Sequence, residues 1–121
     1  FIVKQHKRVL AFFTLSMSAL ESNRLEDGDK LENYIPIKYP AVLLGQMGVD
    51  KQFRGLGIGR LICNFCVGLA AIISERVACR YITLQTNPDK IKYYKEKCGF
   101  KQSVRANLEG KLWMYRKVIE V

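Results

Sequence analysis

The chain has 121 residues, a formal net charge of +9, about half apolar residues (49%) and about a quarter charged ones (26%). That length makes one domain with a two-layer core and leaves no room for a second, and the composition is that of a globular chain, neither disordered nor fibrous. No apolar run reaches the ~18 residues of a membrane span and no secretory leader is visible, so the expectation is a cytoplasmic protein without a membrane partner.

The charge is unevenly distributed. Residues 80–117 carry ten Lys or Arg against three acids, Asp89, Glu96 and Glu109, which is +7 of the +9. Such a bias favours a polyanionic partner, because neutralising phosphates releases counterions; a solvated surface on a basic protein is the alternative.

In chain order, Phe1, Val3 and Gln5 already alternate as a strand, and residues 8–20, RVLAFFTLSMSAL, are rich in strand formers. Together they predict an antiparallel pair turning between Gln5 and Arg8. Because the chain starts at Phe1 in what reads as mid-sheet, a first strand and helices are expected to precede it. The next segment, residues 21–40, is acidic, with Asp27-Gly28 and two prolines, and reads as a surface loop. AVLLGQMGVD, residues 41–50, is a strand interrupted by Gly45 and Gly48, glycines of the kind that mark a bulge or a close backbone approach.

Between Arg60 and about Ala78, Leu61, Ile62, Phe65, Cys66, Leu69, Ala70, Ile73 and Val77 recur at three- and four-residue steps, predicting an amphipathic helix. RYITLQT, residues 80–86, is a strand, and Asn87-Pro88-Asp89 supplies cap, first-turn proline and acid for a second helix that runs through Lys97 and ends at Cys98-Gly99. FKQSVRA and KLWMYRKVIEV then flank Asn107 to Gly110 as a hairpin. The order describes an α/β (α+β) domain on a mixed sheet. Cys63 and Cys66 form a CxxC inside the apolar helix, with Cys79, Cys98 and the lone His6 remote in sequence. Core packing fits them better than zinc or redox chemistry.

The stretch VDKQFRGLGIGRLI, residues 49–62, joins a strand to a helix through three glycines. Free N–H groups and the positive end of the helix dipole make such a junction an anion cradle, and residues without Cβ let the anion come close. A Walker A loop is excluded, since Arg60 and Leu61 stand where Lys and Ser/Thr belong; GxGxG is not the dinucleotide GxGxxG either. A merely flexible connection is the plain alternative.

Arg54-Gly55-Leu56-Gly57-Ile58-Gly59 resembles the (Arg/Gln)-x-x-Gly-x-(Gly/Ala) loop of the GNAT family of N-acetyltransferases, and Asn87, Lys90, Tyr93-Tyr94 and Gly99-Phe100 resemble that family's Asn-x-x-Ala-x-x-(Phe/Tyr)-Tyr followed by Gly-Phe. The two signatures cover residues 41–101. Lys90 departs from the usual small residue, and Tyr94 stands one residue farther from Gly-Phe than is common.

The resemblance implies one acetyltransferase domain over residues 1–121. Its sheet would be mixed and mainly antiparallel, with flanking helices and a parallel pair, 41–49 and 80–86, splayed at a bulge near Gly45 and Gly48. Acetyl-CoA would lie in the splay without a metal. Met47, Gly48, Val49 and Asn87 would hold the pantetheine arm, and the N–H groups of Arg54, Gly55, Leu56, Gly57, Ile58, Gly59 and Arg60 the diphosphate. A main-chain N–H on the bulged strand would face the tetrahedral oxygen, and Tyr94 would give a proton to the leaving sulfur, with Tyr93 as second candidate. No general base is evident.

IPIKYPAVLLGQMGVDKQFRGLGIG and SERVACRYITLQ look like the family's small toxins, which acetylate the amino group of aminoacyl-tRNA and pair with an antitoxin. The partners this implies are an amine acceptor such as aminoacyl-tRNA, an antitoxin protein and a second copy of the chain in a homodimer. A protein, peptide or small-molecule amine remains open as acceptor, as does a non-catalytic module binding acyl-CoA or RNA.

Overall fold

The computed structural model describes residues 1–31, 37–104 and 112–118. These build one six-stranded sheet in the order β1-β2-β3-β4-β6-β5. The strands are β1 (Ile2–Gln5), β2 (Arg8–Glu21), β3 (Lys38–Val49), β4 (Tyr81–Thr86), β5 (Lys101–Gln102) and β6 (Leu112–Lys117). Helix α1 (Ile58–Ser74) joins β3 to β4, and α2 (Ile91–Cys98) joins β4 to β5. Among the described residues only β3 and β4 pair in parallel. This is the mixed, mainly antiparallel sheet with a parallel pair that the family resemblance implied.

The β1–β2 hairpin turns at His6 and Lys7, with Gln5 opposite Arg8 and His6 at a φ of 56°. Beyond it the alternation of side chains divides the sheet into two faces. On one face α1 turns Ile62, Cys63, Cys66 and Ala70 inward. The first three pack with Tyr94, Cys98 and Phe100 against Leu44, Ile82, Leu84 and Met114. Cys63, Cys66, Cys79 and Cys98 are all buried free thiols, so the CxxC is core packing. The hydrogen bond to Cys98, with burial, pushes the Cys63 thiol far above its ordinary range.

On the other face the structure corrects the reading of residues 21–40 as a surface loop over its first part, residues 21–31, while residues 32–36 lie outside the described ones. Two short 3-10 turns, Ser22–Arg24 and Asp27–Asp29, lay Leu25 and Asp29 against the sheet, leaving them 2% and 4% exposed. Leu25 packs with Leu20, Tyr39, Tyr81 and Tyr115. The Asp29 carboxylate accepts hydrogen bonds from Lys101 Nζ (2.9 Å) and the Tyr115 hydroxyl (2.7 Å), and lies 3.3 Å from Lys117 Nζ. The Tyr81 hydroxyl donates to the Asp29 carbonyl. These donors offset the cost of burying a carboxylate. Burial by itself raises its pKa, but the bonds from Lys101, Tyr115 and Lys117 outweigh that and hold it below the ordinary value.

Four boundaries also move. β3 begins at Lys38, inside the expected loop; α1 begins at Ile58, two residues early, and ends at Ser74, four residues short of Ala78. Pro88–Lys90 forms a 3-10 turn without a side-chain cap from Asn87, so that α2 starts only at Ile91. The hairpin turn expected at Asn107 to Gly110 lies outside the described residues. Among the described residues no helix is long and apolar enough to cross a membrane.

Candidate active site

The site begins as a fault in the sheet. β3 and β4 pair from Ala41↔Tyr81 to Leu44↔Leu84 and no further. On the β2 side of β3, Leu44 faces Leu15 and Met47 faces Phe13, so Gly45 and Gln46 together oppose Thr14. This is a β-bulge, and it bends β3 away from β4. The Gln46 N–H donates to the Thr14 hydroxyl oxygen at 2.9 Å, which satisfies the group that the bulge removes from the ladder. A Cβ on Gly45 would meet that oxygen at 2.6 Å.

Past the bulge, β3 stays paired with β2. Because Asp50 N–H bonds to the Leu10 carbonyl and antiparallel bonds alternate, Gly48 is tied to Phe12, while Met47 and Val49 turn their main-chain groups to the open side. The Val49 carbonyl there accepts from Arg54 Nε at 3.3 Å.

The glycine loop forms the second wall. Asp50 caps a 3-10 turn over Lys51–Phe53 by accepting from Gln52 N–H at 2.9 Å. Arg8 clamps that turn, lying 4.8 Å over the Phe53 ring and bonding to the Gln52 side chain. Gly55 and Gly57 then take φ values of 81° and 83°, a left-handed conformation that costs other residues ~1–2 kcal/mol. Gly57 is the N-cap of α1 and brings no side chain to it. The first-turn N–H groups of Ile58, Gly59 and Arg60 are therefore left facing the splay without intrahelical acceptors.

Helix α2 closes the third side. Gly99, at a φ of 73°, ends it, and Phe100 N–H bonds back to the Tyr94 carbonyl at 3.1 Å. Tyr94 is 9% exposed, packed edge-on to Phe100 and Tyr93, yet it lines the cleft. Burial pushes its phenol up to about 12, and Tyr93 likewise to about 12.

Together these walls enclose a cleft of about 570 Å³. Arg54, Arg60, Lys90 and Lys97 line it, and no acid does among the described residues. A family model for the acetyltransferase (GNAT) domain matches residues 6–102. The chain belongs to the GNAT family.

As a GNAT fold it is similar to three solved structures. One is AtaT complexed with acetyl-methionyl-tRNAfMet (23% identity, TM-score 0.78, 91% of this chain and 64% of that one). Another is a tyrosine-to-phenylalanine mutant of KacT (24%, TM-score 0.77, 92% and 64%). A third is an AtaT mutant toxin bound to the C-terminus of the antitoxin AtaR and acetyl-CoA (18%, TM-score 0.65, 91% and 59%). The chain spans less than two-thirds of the length of each.

Of the residues that the GNAT resemblance pointed to, Met47, Val49, Arg54, Gly55, Gly57, Ile58, Gly59, Arg60 and Tyr94 come together on the cleft. Gly48, Leu56 and Asn87 do not line it: Gly48 packs on the Phe12 ring, Leu56 is 70% exposed and Asn87 is exposed ahead of α2. Phe53 lines the cleft without having been singled out for it, and Lys90 and Lys97 bring to it part of the basic run noted between residues 80 and 117. Lys97 was within reach, since it stands three residues past Tyr94 on α2, and Lys90 is the N-cap residue at the start of that helix.

Proposed function

We propose that this chain transfers the acetyl group of acetyl-CoA to a primary amine, and that the amine is the α-amino group of an aminoacyl-tRNA. One juxtaposition carries the acetyltransferase reading. The open edge of β3 at Met47 and Val49, the uncapped start of α1 and the Tyr94 phenol border the same cleft. Each fits a part of the substrate: an amide-bearing arm, a diphosphate and a thioester. Acetyl-CoA would supply the acetyl group already activated.

The residues of the chain divide the work. Main-chain groups of Met47 and Val49 would pair with the arm as a further strand does, with Arg54 Nε leaving the Val49 carbonyl. The N–H groups opening α1, with Arg54 and Arg60, would hold the diphosphate. With a pKa of about 12, Tyr94 keeps its proton at neutral pH and acts as a hydrogen-bond donor to charge developing on sulfur, more than as an acid that gives the proton up entirely. The described cleft lining offers no carboxylate or imidazole, so the amine would arrive neutral or lose its proton to water.

The acceptor is argued from charge and likeness. Lys90 and Lys97 border the cleft and Lys92 and Lys95 are exposed on the same helix, a setting suited to a phosphate backbone. AtaT, similar in fold, is described in complex with acetyl-methionyl-tRNAfMet, and with the antitoxin AtaR. A toxin held by an antitoxin, acting on tRNA in the cytoplasm, is the reading these support.

The test is to mix the chain with acetyl-CoA and charged tRNA, and follow free thiol and acetylated aminoacyl-tRNA. Product from tRNA and none from peptide or polyamine amines is the expected result. Thiol release with peptide amines alone would overturn the acceptor, and cofactor binding without release from any amine would overturn the enzyme.

A further inference from the structure

Tyr93 is 38% exposed, yet its hydroxyl has a defined place. A Cβ built on Gly59 would overlap that hydroxyl, with the ring carbon that bears it 3.3 Å away. The phenol of α2 therefore occupies the side-chain position of the second residue of α1. Gly59 is not held there by its own backbone, since it lies inside α1 without a positive φ. What it lacks is a side chain, and Tyr93 fills the space.

The start of α1 presents free N–H groups but, from Gly57 to Gly59, no hydroxyl of its own. Tyr93 lends it one. Tyr93 is itself a lining residue of the cleft, as Arg60 and Lys97 are. Resting on the acetyl-CoA reading, we infer that Tyr93 is a diphosphate ligand: its hydroxyl donates a hydrogen bond to the anion seated at the first turn of α1. A phosphate oxygen is a far stronger acceptor than the Cys98 thiol that otherwise neighbours this phenol. Tyr93 and Tyr94 then serve opposite ends of one molecule, diphosphate and sulfur.

The experiment is calorimetric titration of the wild type and Tyr93→Phe with coenzyme A and with pantetheine, which lacks the diphosphate. The expected result is a roughly tenfold loss of coenzyme A affinity with pantetheine affinity changed less than twofold, as for one charge-assisted bond removed. Equal affinity of the two proteins for coenzyme A overturns the inference and leaves the acetyl-CoA reading standing, as does an equal loss for both ligands; failure of the wild type to bind coenzyme A overturns both. Gly59→Ala with Tyr93→Phe is the second arm. Removing the hydroxyl makes room for the methyl, so the double variant should melt within a few degrees of wild type while binding coenzyme A as weakly as Tyr93→Phe. Wild-type affinity in the double variant would show the hydroxyl to be only an obstruction and would overturn the assignment.

Discussion

The Thr14 hydroxyl accepts the Gln46 N–H at 2.9 Å, directly across the bulge at which β3 leaves β4. A side chain on β2 thus holds open a cleft on the far side of β3. Thr14→Val keeps shape and strand propensity but removes the protein acceptor of an exposed N–H, which water then replaces, at a cost of about 0.5–1 kcal/mol. Urea unfolding should show this loss, and coenzyme A affinity should fall several-fold as the bulge relaxes. Thr14→Ser, which keeps the oxygen, should retain most of both. Unchanged affinity in Thr14→Val would mean that the splay does not depend on this bond.

Gly57→Glu tests the anion cradle. Nothing lies within 4 Å of a Cβ at Gly57, so the substitution meets no clash, only the φ of 83° and a carboxylate at the positive end of α1. The backbone strain should lower the melting temperature by several degrees, while coenzyme A affinity falls by two orders of magnitude or more. Gly68→Glu is the matching control, because Gly68 is exposed in mid-α1 with open space around it. It should bind as wild type, and a loss there equal to that of Gly57→Glu would place the anion elsewhere.

What could be read from the sequence was local. The spacing of Ile62, Cys66 and Ala70 revealed α1, Gly99 marked the end of α2 whereas Asn87-Pro88 opens only the 3-10 turn ahead of it, and Gly45 marked the bulge because a Cβ there has no room. Gly48 has a different reason, the Phe12 ring against it, and a single strand does not show its neighbour. The Ser22–Leu31 segment was misjudged for the same cause. Its acids and turn residues are those of a solvated loop, and the groups that bury Asp29 stand 72 and 86 residues away at Lys101 and Tyr115. Tyr93 against Gly59 is likewise a contact between two helices, legible only once their packing is known.

Asp29→Asn should therefore cost more than its loop position would indicate. The amide keeps the size but loses the charge facing Lys101 and Lys117, leaving two ammonium groups beside a tyrosine layer with Glu26, 3.5 Å from Lys101, as partial compensation. A loss of about 3 kcal/mol in urea unfolding is expected, scaled from broken buried pairs and reduced because Lys101 is half exposed. The pH dependence has a fixed sign. The folded pKa lies below the ordinary 3.8, so the folded chain binds this proton less readily than the unfolded one. Its contribution is full at neutral pH and is lost as pH falls from about 5 through 3.8 to the lower folded value. Asp29→Asn should flatten that part of the acid unfolding curve, and an unaltered acid limb would refute the role given to this carboxylate.

Tyr94→Phe separates chemistry from folding. The ring keeps its place against Phe100 and Tyr93, and only the hydroxyl on the cleft wall is lost. Thiol release in the presence of charged tRNA should fall about a hundredfold or more, within the usual range for a positioned hydrogen-bond donor to developing charge, while coenzyme A affinity changes little because the diphosphate is held elsewhere. With the folded phenol pushed up to about 12, wild-type turnover should rise with pH as the amine loses its proton and show no decline from Tyr94 below about pH 11. The same shift bears on stability. The folded pKa exceeds the ordinary 10, so the unfolded chain ionises first; the contribution of Tyr94 is complete below pH 10 and disappears as pH rises toward 12. Tyr94→Phe should consequently resist alkaline unfolding better than wild type while being the poorer enzyme. A variant that loses alkaline stability, or that turns over at the wild-type rate, would detach the buried phenol from both assignments.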